Sequence, residues 1–512
     1  MSKGKGLILG HTDVKASKLR GIKALFDRSL DDKAACQRFL QAFQRKPTAK
    51  HLLRLTPAIH CAIFAPSGAG KNVSIVEPWL FTSNESAFVT DIKGENAELT
   101  GRFREEVFGH KIMRLDPWHL TTDKPACWNV LDLIDPTDPE ALDKARALAE
   151  AIVEKNPNEK DPHWPQKAQD FIAGVIAAVT HFCPPELRSL QQVAEILADK
   201  TLLAQVIDKM KRSSAHEGLL ARKGHEMSVS TEKELDGILS TVNRSLAFLG
   251  TPAVMESTKG TSDFDLSALY AGNGATIYTI VPLQYLRSHA ALMRLWVTAF
   301  TKYVVSRGIK NQRTVHVILD ECAAVMAGHG ETLEEMLTVG RGFNLKVTAI
   351  FQSMAQIRKL FPQGQEGVLL ANTSQVFFAV NELEDAKYVA SRLGESTIIV
   401  ESGGTSHSTT RQSGQQQGGC STSTSTNHNW QQIGRSLLKP EEVMHGLHPR
   451  VAITFTPGFP PIWTWLTRYY EKGFGAPTGL SPAKMIFDTA CLFLGSAMLA
   501  AMFTAGLFYH CF

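Results

Sequence analysis

A chain of 512 residues with 44% hydrophobic side chains is long enough for two or three domains and can build a substantial core, an ordinary globular composition. Its eight cysteines (Cys36, Cys61, Cys127, Cys183, Cys322, Cys420, Cys491 and Cys511) form no C-x-x-C pair and no zinc-like spacing with histidine, which excludes a zinc finger and a disulfide scaffold and fits reduced thiols in a cytosolic body. The net charge of +4 hides an asymmetry: residues 1–54 hold thirteen Lys/Arg against four Asp, and the remainder is slightly acidic.

Residues 1–54 are therefore expected to form a basic N-terminal extension, suited to an anionic membrane face or nucleic acid, or else a solvated, partly helical leader. The apolar run in "MSKGKGLILGHTDVK" is too short for a signal peptide. A first half of the core is expected over 55–137. Within it Cys61–Phe64 reads as a short buried strand and Val73–Leu80 as the apolar start of a helix, and the loop between them is Ala65, Pro66, Ser67, Gly68, Ala69, Gly70, Lys71 and Asn72. Set against the phosphate-loop pattern G-x-x-x-x-G-K-[ST], Ala65 replaces the first Gly and Asn72 the final hydroxyl. Backbone amides at a helix N-terminus can face an anion, Gly68 and Gly70 permit close approach, and Lys71 can reach the outer phosphates. At Asn72 an amide oxygen or a water would take the place of the hydroxyl that ordinarily meets Mg²⁺. A Gly-rich turn without a ligand is the plainer alternative.

Further strands are expected at 86–91 and 111–116, the first followed by "VTDIKGEN", which sets Asp91, Lys93 and Glu95 at a strand end beside the loop. Residues 138–250 carry three-and-four apolar spacing with almost no strand-like stretch, so an inserted all-helical subdomain is expected there. The second half of the core, 251–470, brings strands at 275–281, 314–320, 346–351, 375–380 and 451–456, with helices such as 290–305 and 386–393 between them. Such alternation gives an α/β fold with a mainly parallel sheet. Residues 402–432, rich in Ser, Thr, Gln and Gly, are expected to be a flexible loop.

"TVHVILDECA" carries Asp320 and Glu321 to the end of an apolar strand, where one carboxylate could hold a metal through water and the other could polarise an attacking water. The same sequence also suits an ordinary helix N-terminus. "GRGFNLKVTAIFQS" places Arg341 just before a strand and Gln352 just after it. In a ring of subunits Arg341 could act as an arginine finger toward a neighbour and Gln352 could report phosphate state; a surface salt bridge and a polar cap are the ordinary explanations. After a linker at 471–488, residues 489–509 hold 21 uncharged residues, enough to cross a bilayer. Arg468, Lys472 and Lys484 precede them, which would keep the body cytoplasmic; a buried terminal helix is the alternative.

The segments "APSGAGKN", "DIKGEN", "RLDPW" with "CWNVLDLI", "SDFDLSAL" with "TIYTIVPLQYL", "ILDECAAV", "GRGFNLKVTAIFQSMAQI", "ANTSQVFFAVNELEDAKYVASRLG" and "SLLKPEEVM" occur in this order over roughly residues 55–470. Together they resemble the type IV coupling proteins, membrane-attached ATPases of conjugative transfer and type IV secretion. The resemblance implies a RecA-like P-loop NTPase core that binds ATP and Mg²⁺ and carries an all-alpha insertion. It also implies a homo-hexamer at the bacterial inner membrane that works with single-stranded DNA, a relaxase or relaxosome, and the components of the secretion channel. By position, Lys71 matches the family's phosphate-binding lysine, Asp320 its metal-linked acid, Glu321 its catalytic acid, Arg341 its arginine finger and Gln352 its nucleotide-sensing glutamine. The family usually begins with a pair of transmembrane helices, whereas residues 1–54 are hydrophilic here, so either a tail anchor at 489–509 is expected instead or a partner-dependent form that sits at the membrane differently. Two other functions fit the same motifs: a docking adaptor that binds nucleotide without motor activity, and a chromosome-pumping translocase of the septal type.

Overall fold

A computed structural model describes residues 7–11, 23–24, 27, 29–44, 52–55, 60–154, 162–308, 313–411 and 420–471. The chain divides into two compact units, residues 1–378 with 450–512, and residues 379–449.

In the larger unit the strands are β1 (Leu7–His11), β2 (Leu52–Leu55), β3 (His60–Phe64), β4 (Ser86–Asp91), β5 (Lys111–Leu115), β6 (Ala275–Ile280), β7 (Val315–Leu319), β8 (Leu345–Phe351) and β9 (Ser374–Phe378). The 11-stranded sheet that they help to form is completed by two later strands, Val451–Phe455 and Ile462–Trp465. Seven strands, in the order β9-β3-β8-β7-β4-β6-β5, run parallel. Every residue of β3, β4, β6, β7 and β9 is buried, because helices cover both faces and each strand can be apolar throughout. Register is pinned at the strand tips by aromatic packing: the Phe64 ring lies 5.8 Å from that of Phe351 and 4.5 Å from that of Phe377, stacked on both.

The other edge is antiparallel. Val451–Phe455 pairs with β9, Ile462–Trp465 with Val451–Phe455, β1 with Ile462–Trp465, and β2 with β1. Residues 1–54, expected as a basic extension, thus contribute two strands to the sheet, and Leu7, Ile8 and Leu9 are buried. The apolar run "LILG" that was too short for a signal peptide suffices for a short strand between β2 and Ile462–Trp465. At Gly10 φ is +116° and the Trp465 carbonyl lies where a Cβ would stand, so only glycine allows this pairing at the register shift between Ile8 and Gly10.

Between β5 and β6 the described residues form helices and no strand: Ala141–Ile152, His163–Phe182, Leu190–Ala198, Lys200–Lys211, Leu219–Ser228 and Glu232–Leu246 are the longer ones. Side-chain oxygens of Ser189, Asp199 and Thr231 accept backbone N–H groups at three of their starts. Helix His163–Phe182 is buried along most of its second half.

The smaller unit holds a helix (Leu383–Leu393), two 17-residue strands, β10 (Glu395–Arg411) and β11 (Cys420–Ser436), and a helical turn at Glu442–Gly446. The two strands pair antiparallel along their whole length, from Glu395 opposite Ser436 to Arg411 opposite Cys420. The flexible loop expected at 402–432 is therefore, among the described residues, a hairpin. Thr405, Thr409, Thr422, Thr424 and Thr426 fall on one face by the two-residue period and Ser406, Ser408, Ser423 and Ser425 on the other. The polar composition masked an alternation that β-branched threonine favours. In chain order Val451–Phe455 is β12 and Ile462–Trp465 is β13.

No helix among the described residues is long and apolar enough to cross a membrane. The linker at 471–488, beyond Glu471, and the transmembrane helix expected at 489–509 lie outside the described residues.

Candidate nucleotide site

In-phase pairing brings the candidate residues together. Ala62 on β3 and Leu319 on β7 both face Ala349 on β8, so the C-terminal tips of β3, β8 and β7 end at nearly the same level. Ala65, Gln352 and the Asp320–Glu321 pair follow at those tips. The backbone N–H of Ala65 donates to the Phe351 carbonyl at 3.1 Å, continuing the ladder one residue into the loop.

The loop has the shape that its glycines permit. Gly68 and Gly70 take φ of +79° and +86°, the left-handed region. Lys71 begins a helix that runs as a π-turn over Asn72–Val76 and continues as Glu77–Thr82. The Lys71 ammonium is almost fully buried; it donates to the Ala65 carbonyl at 3.2 Å and lies 3.8 Å from a Glu321 carboxylate oxygen. The lysine is thus curled over its own loop and paired with an acid.

Asn72 Nδ2 donates to Asp320 Oδ2 at 3.2 Å, and the Glu321 N–H donates to Asp320 Oδ1 at 3.1 Å. Burial raises the Asp320 carboxyl above its ordinary range, opposed by the Asn72 hydrogen bond, with the Glu321 charge raising it further. Gln352 Nε2 donates to Glu321 Oε2 at 2.9 Å, while its own N–H is held by Gln356 Oε1 at 2.8 Å. Glu321 itself has φ of +49°, a left-handed backbone in a residue with a long side chain, which costs about 1 kcal/mol or more. Loop, acid pair and glutamine form one connected polar network.

Arg341 is not part of it. It is exposed, within Gly340–Phe343 at the start of β8, and it faces His60 at the start of β3, which burial and then the Arg341 charge push down to about 4. One strand length of seven residues, roughly 20 Å, separates that edge from the loop. Within one chain the arginine cannot reach the site.

Two buried carboxyls and a buried amide add a polar layer behind the loop, of which the sequence pointed to only one member. Asp91 ends β4, accepts the Ala97 N–H at 2.9 Å and has its other oxygen unpartnered; burial, the leading cause, pushes its carboxyl up to about 7. Glu77, in the helix after the loop, is buried with Oε2 unpartnered, and burial followed by the charges of Glu95, Asp91 and Asp320 pushes it up to about 8. Asn96 is buried with both amide atoms unpartnered. Of these only Asp91 was singled out from the sequence. Glu77 in "IVEPWL" gave no signal beyond a charge inside an apolar run. Lys93 and Glu95 are exposed.

The donor set suits a magnesium nucleotide. A buried lysine whose partners are one carbonyl and one carboxylate can exchange them for phosphate oxygens, and a buried carboxyl raised by desolvation is relieved by a cation. Lys71, the amides of 67–72, Asn72 and Asp320 are the residues that would hold it.

A model of the type IV secretory system conjugative DNA transfer family matches residues 27–491. The chain is similar to the conjugal transfer protein TraG of Escherichia coli, 24% identical over 479 residues that make up 88% of this chain and 73% of that one. It is also similar to the protein VirD4 of Rhizobium radiobacter, 26% identical over 421 residues, 80% of this chain and 57% of that one. Among solved structures the fold is similar to the unbound bacterial conjugative coupling protein TrwBdeltaN70, with a TM-score of 0.60 at 16% identity, over 87% of this chain and 92% of the other. The plasmid coupling protein TrwB in complex with ADP and Mg²⁺ gives a TM-score of 0.59 at 16% identity, over 86% and 92% of the two chains.

Proposed function

The chain belongs to the type IV secretory system conjugative DNA transfer family, and from that premise we propose that it is an ATP-driven coupling protein, which binds Mg-ATP at residues 65–72 and moves single-stranded DNA, with its relaxase, toward a secretion channel. The observation that carries this reading is the network joining Lys71, Glu321, Gln352, Asp320 and Asn72 at three adjacent strand tips. The TrwB complex with ADP and Mg²⁺ supports the choice of ligand.

The chemistry follows from these side chains. Lys71 leaves Ala65 and Glu321 for the phosphate oxygens, and the left-handed glycines turn loop amides toward the same charge. Glu321, released from the lysine but still held by Gln352, orients and polarises the attacking water. Gln352 binds Glu321 on one side and is fixed by Gln356 on the other, so it is placed to sense that change. Magnesium, when bound, screens the phosphate charge. Arg341, at the far edge of the sheet, would serve a neighbouring subunit in a homo-hexamer. A RecA-like ring at the inner membrane, anchored through 489–509, is the assembly this reading favours. The test is ATP hydrolysis by the purified protein with and without single-stranded DNA, beside Lys71→Ala: DNA-stimulated turnover that the variant lacks is expected, and equal turnover by the variant refutes the enzymatic claim.

One observation favours the docking adaptor as a second reading. Asn72 bonds an Asp320 oxygen through its amide N–H, where a hydroxyl residue would offer a cation the same oxygen that donates to the acid. An adaptor would bind the nucleotide without DNA-stimulated hydrolysis.

A further inference from the structure

Arg294 is a buried guanidinium held by backbone carbonyls from two separate segments of the chain. It sits on helix Ala290–Ser306, which packs against both helix Ala141–Ile152 and helix Cys322–Val325. Its Nε donates to the Ala151 carbonyl at 2.7 Å and one Nη to the Ile152 carbonyl at 3.3 Å; the other Nη donates to the Ala327 carbonyl at 3.3 Å. The first two carbonyls end the opening helix of the helical insertion, where the helix dipole is negative. The third lies just beyond the turn that follows Asp320 and Glu321.

That turn has the makings of a two-position element. Glu321 holds a left-handed backbone, and its carbonyl accepts the N–H groups of Ala324 at 2.9 Å and Val325 at 3.2 Å. A change of backbone at Glu321 therefore carries Cys322–Ala327 with it. The side chain whose contacts would drive the change is bonded to Gln352 and lies against Lys71, the groups that face the phosphates. Helix Ala141–Ile152 packs in turn on helix His163–Phe182, the long helix of the insertion.

We propose that Arg294 is a positioning residue that ties the Asp320–Glu321 turn to the helical insertion, so that the nucleotide state of the loop is transmitted to helix Ala141–Ile152. Resting on the nucleotide reading above, this adds the route by which the site communicates with the insertion. Guanidinium geometry suits such a tie, because its planar fork sets donors on opposite sides toward two segments, whereas the three donors of a lysine radiate from a single nitrogen and do not span the same separation. By linkage, whatever docks on the insertion and shifts helix Ala141–Ile152 changes nucleotide affinity by the same factor.

The test is backbone hydrogen exchange of the full-length protein and of its Arg294→Lys and Arg294→Met variants, with and without Mg²⁺ and a non-hydrolysable ATP analogue, with analogue affinity measured in parallel. In the wild type the analogue is expected to change exchange at 149–153 by about fivefold or more, together with 321–327. Arg294→Lys should bind the analogue, change at 321–327 and transmit little to 149–153; Arg294→Met should transmit nothing. If the wild type binds the analogue and 149–153 does not respond, the coupling is overturned and the nucleotide reading stands. An undiminished response in both variants removes Arg294 from the route, and failure of the wild type to bind the analogue removes the reading on which the route rests.

Discussion

Glu77 offers a quantitative probe of the polar layer behind the loop. Its carboxyl is buried, one oxygen is unpartnered, and burial together with the charges of Glu95, Asp91 and Asp320 raises it from 4.5 to about 8. An acid whose folded value lies above its unfolded one keeps its proton longer when folded. Between pH 4.5 and about 8 the folded state therefore binds more protons, and stability falls as pH rises through that window. Each factor of ten in proton affinity is worth ~1.4 kcal/mol, so from pH 5 to pH 7.5 this one group should remove about 3 kcal/mol. Asp91, raised from 3.8 to about 7, adds to the fall in the same direction. Glu77→Gln keeps the shape and removes the titration. The urea midpoint, followed by fluorescence of the buried Trp79, should fall steeply from pH 5 to pH 7.5 in the wild type and about half as steeply in the variant. Equal pH slopes for the two proteins would refute the argument, because Glu77 would then ionise freely in the folded state.

Other outcomes follow from the same geometry. Lys71→Ala should weaken binding of Mg-ATP by about 10- to 100-fold, the worth of one hydrogen bond to a charged group, as titration calorimetry would measure. Asn72→Thr should exchange the amide bond to Asp320 Oδ2 for a hydroxyl whose oxygen can also meet a cation, and raise turnover by about tenfold in a phosphate-release assay. Arg104, fully buried, donates to the carbonyls of Leu80, Ser83 and Glu85 and to Thr276 Oγ1, stitching the end of the helix after the loop to β6; Arg104→Met should cost about 3 kcal/mol or more in chemical unfolding. Truncation after Pro482 should release the protein from membranes on fractionation, and continued membrane residence would point to a different anchor.

The central strands were legible because burial on both faces makes each an unbroken apolar run. Ser86–Asp91 and Leu345–Phe351 begin and end within a residue of where periodicity sets them. The short antiparallel strands β1, β2 and β13 were not, since five residues or fewer beside glycine, proline and charge carry no period. The β10–β11 hairpin escaped because alternation of Thr with Ser contains no apolar contrast. At the site, Lys71, Asp320 and Glu321 announce themselves by spacing, and the bond from Gln352 to Glu321 follows from two strand tips at one level. The isolation of Arg341 also follows from direction: a residue before a parallel strand lies at the edge opposite the loops that follow its neighbours. What no pattern could reveal is the burial of Glu77 and Asp91, which depends on how the helix after the loop packs.

The partnership of β1 with β13 has a consequence for synthesis. Thr464 Oγ1 donates to the Leu9 carbonyl across 455 positions of sequence, so one side of β1 has no partner strand until those positions have been made. At about 5–20 residues per second that interval is roughly half a minute to a minute and a half. During it β2 is the only strand beside Leu7, Ile8 and Leu9, and the nascent chain carries an open strand edge that a ribosome-associated chaperone would be well placed to shield.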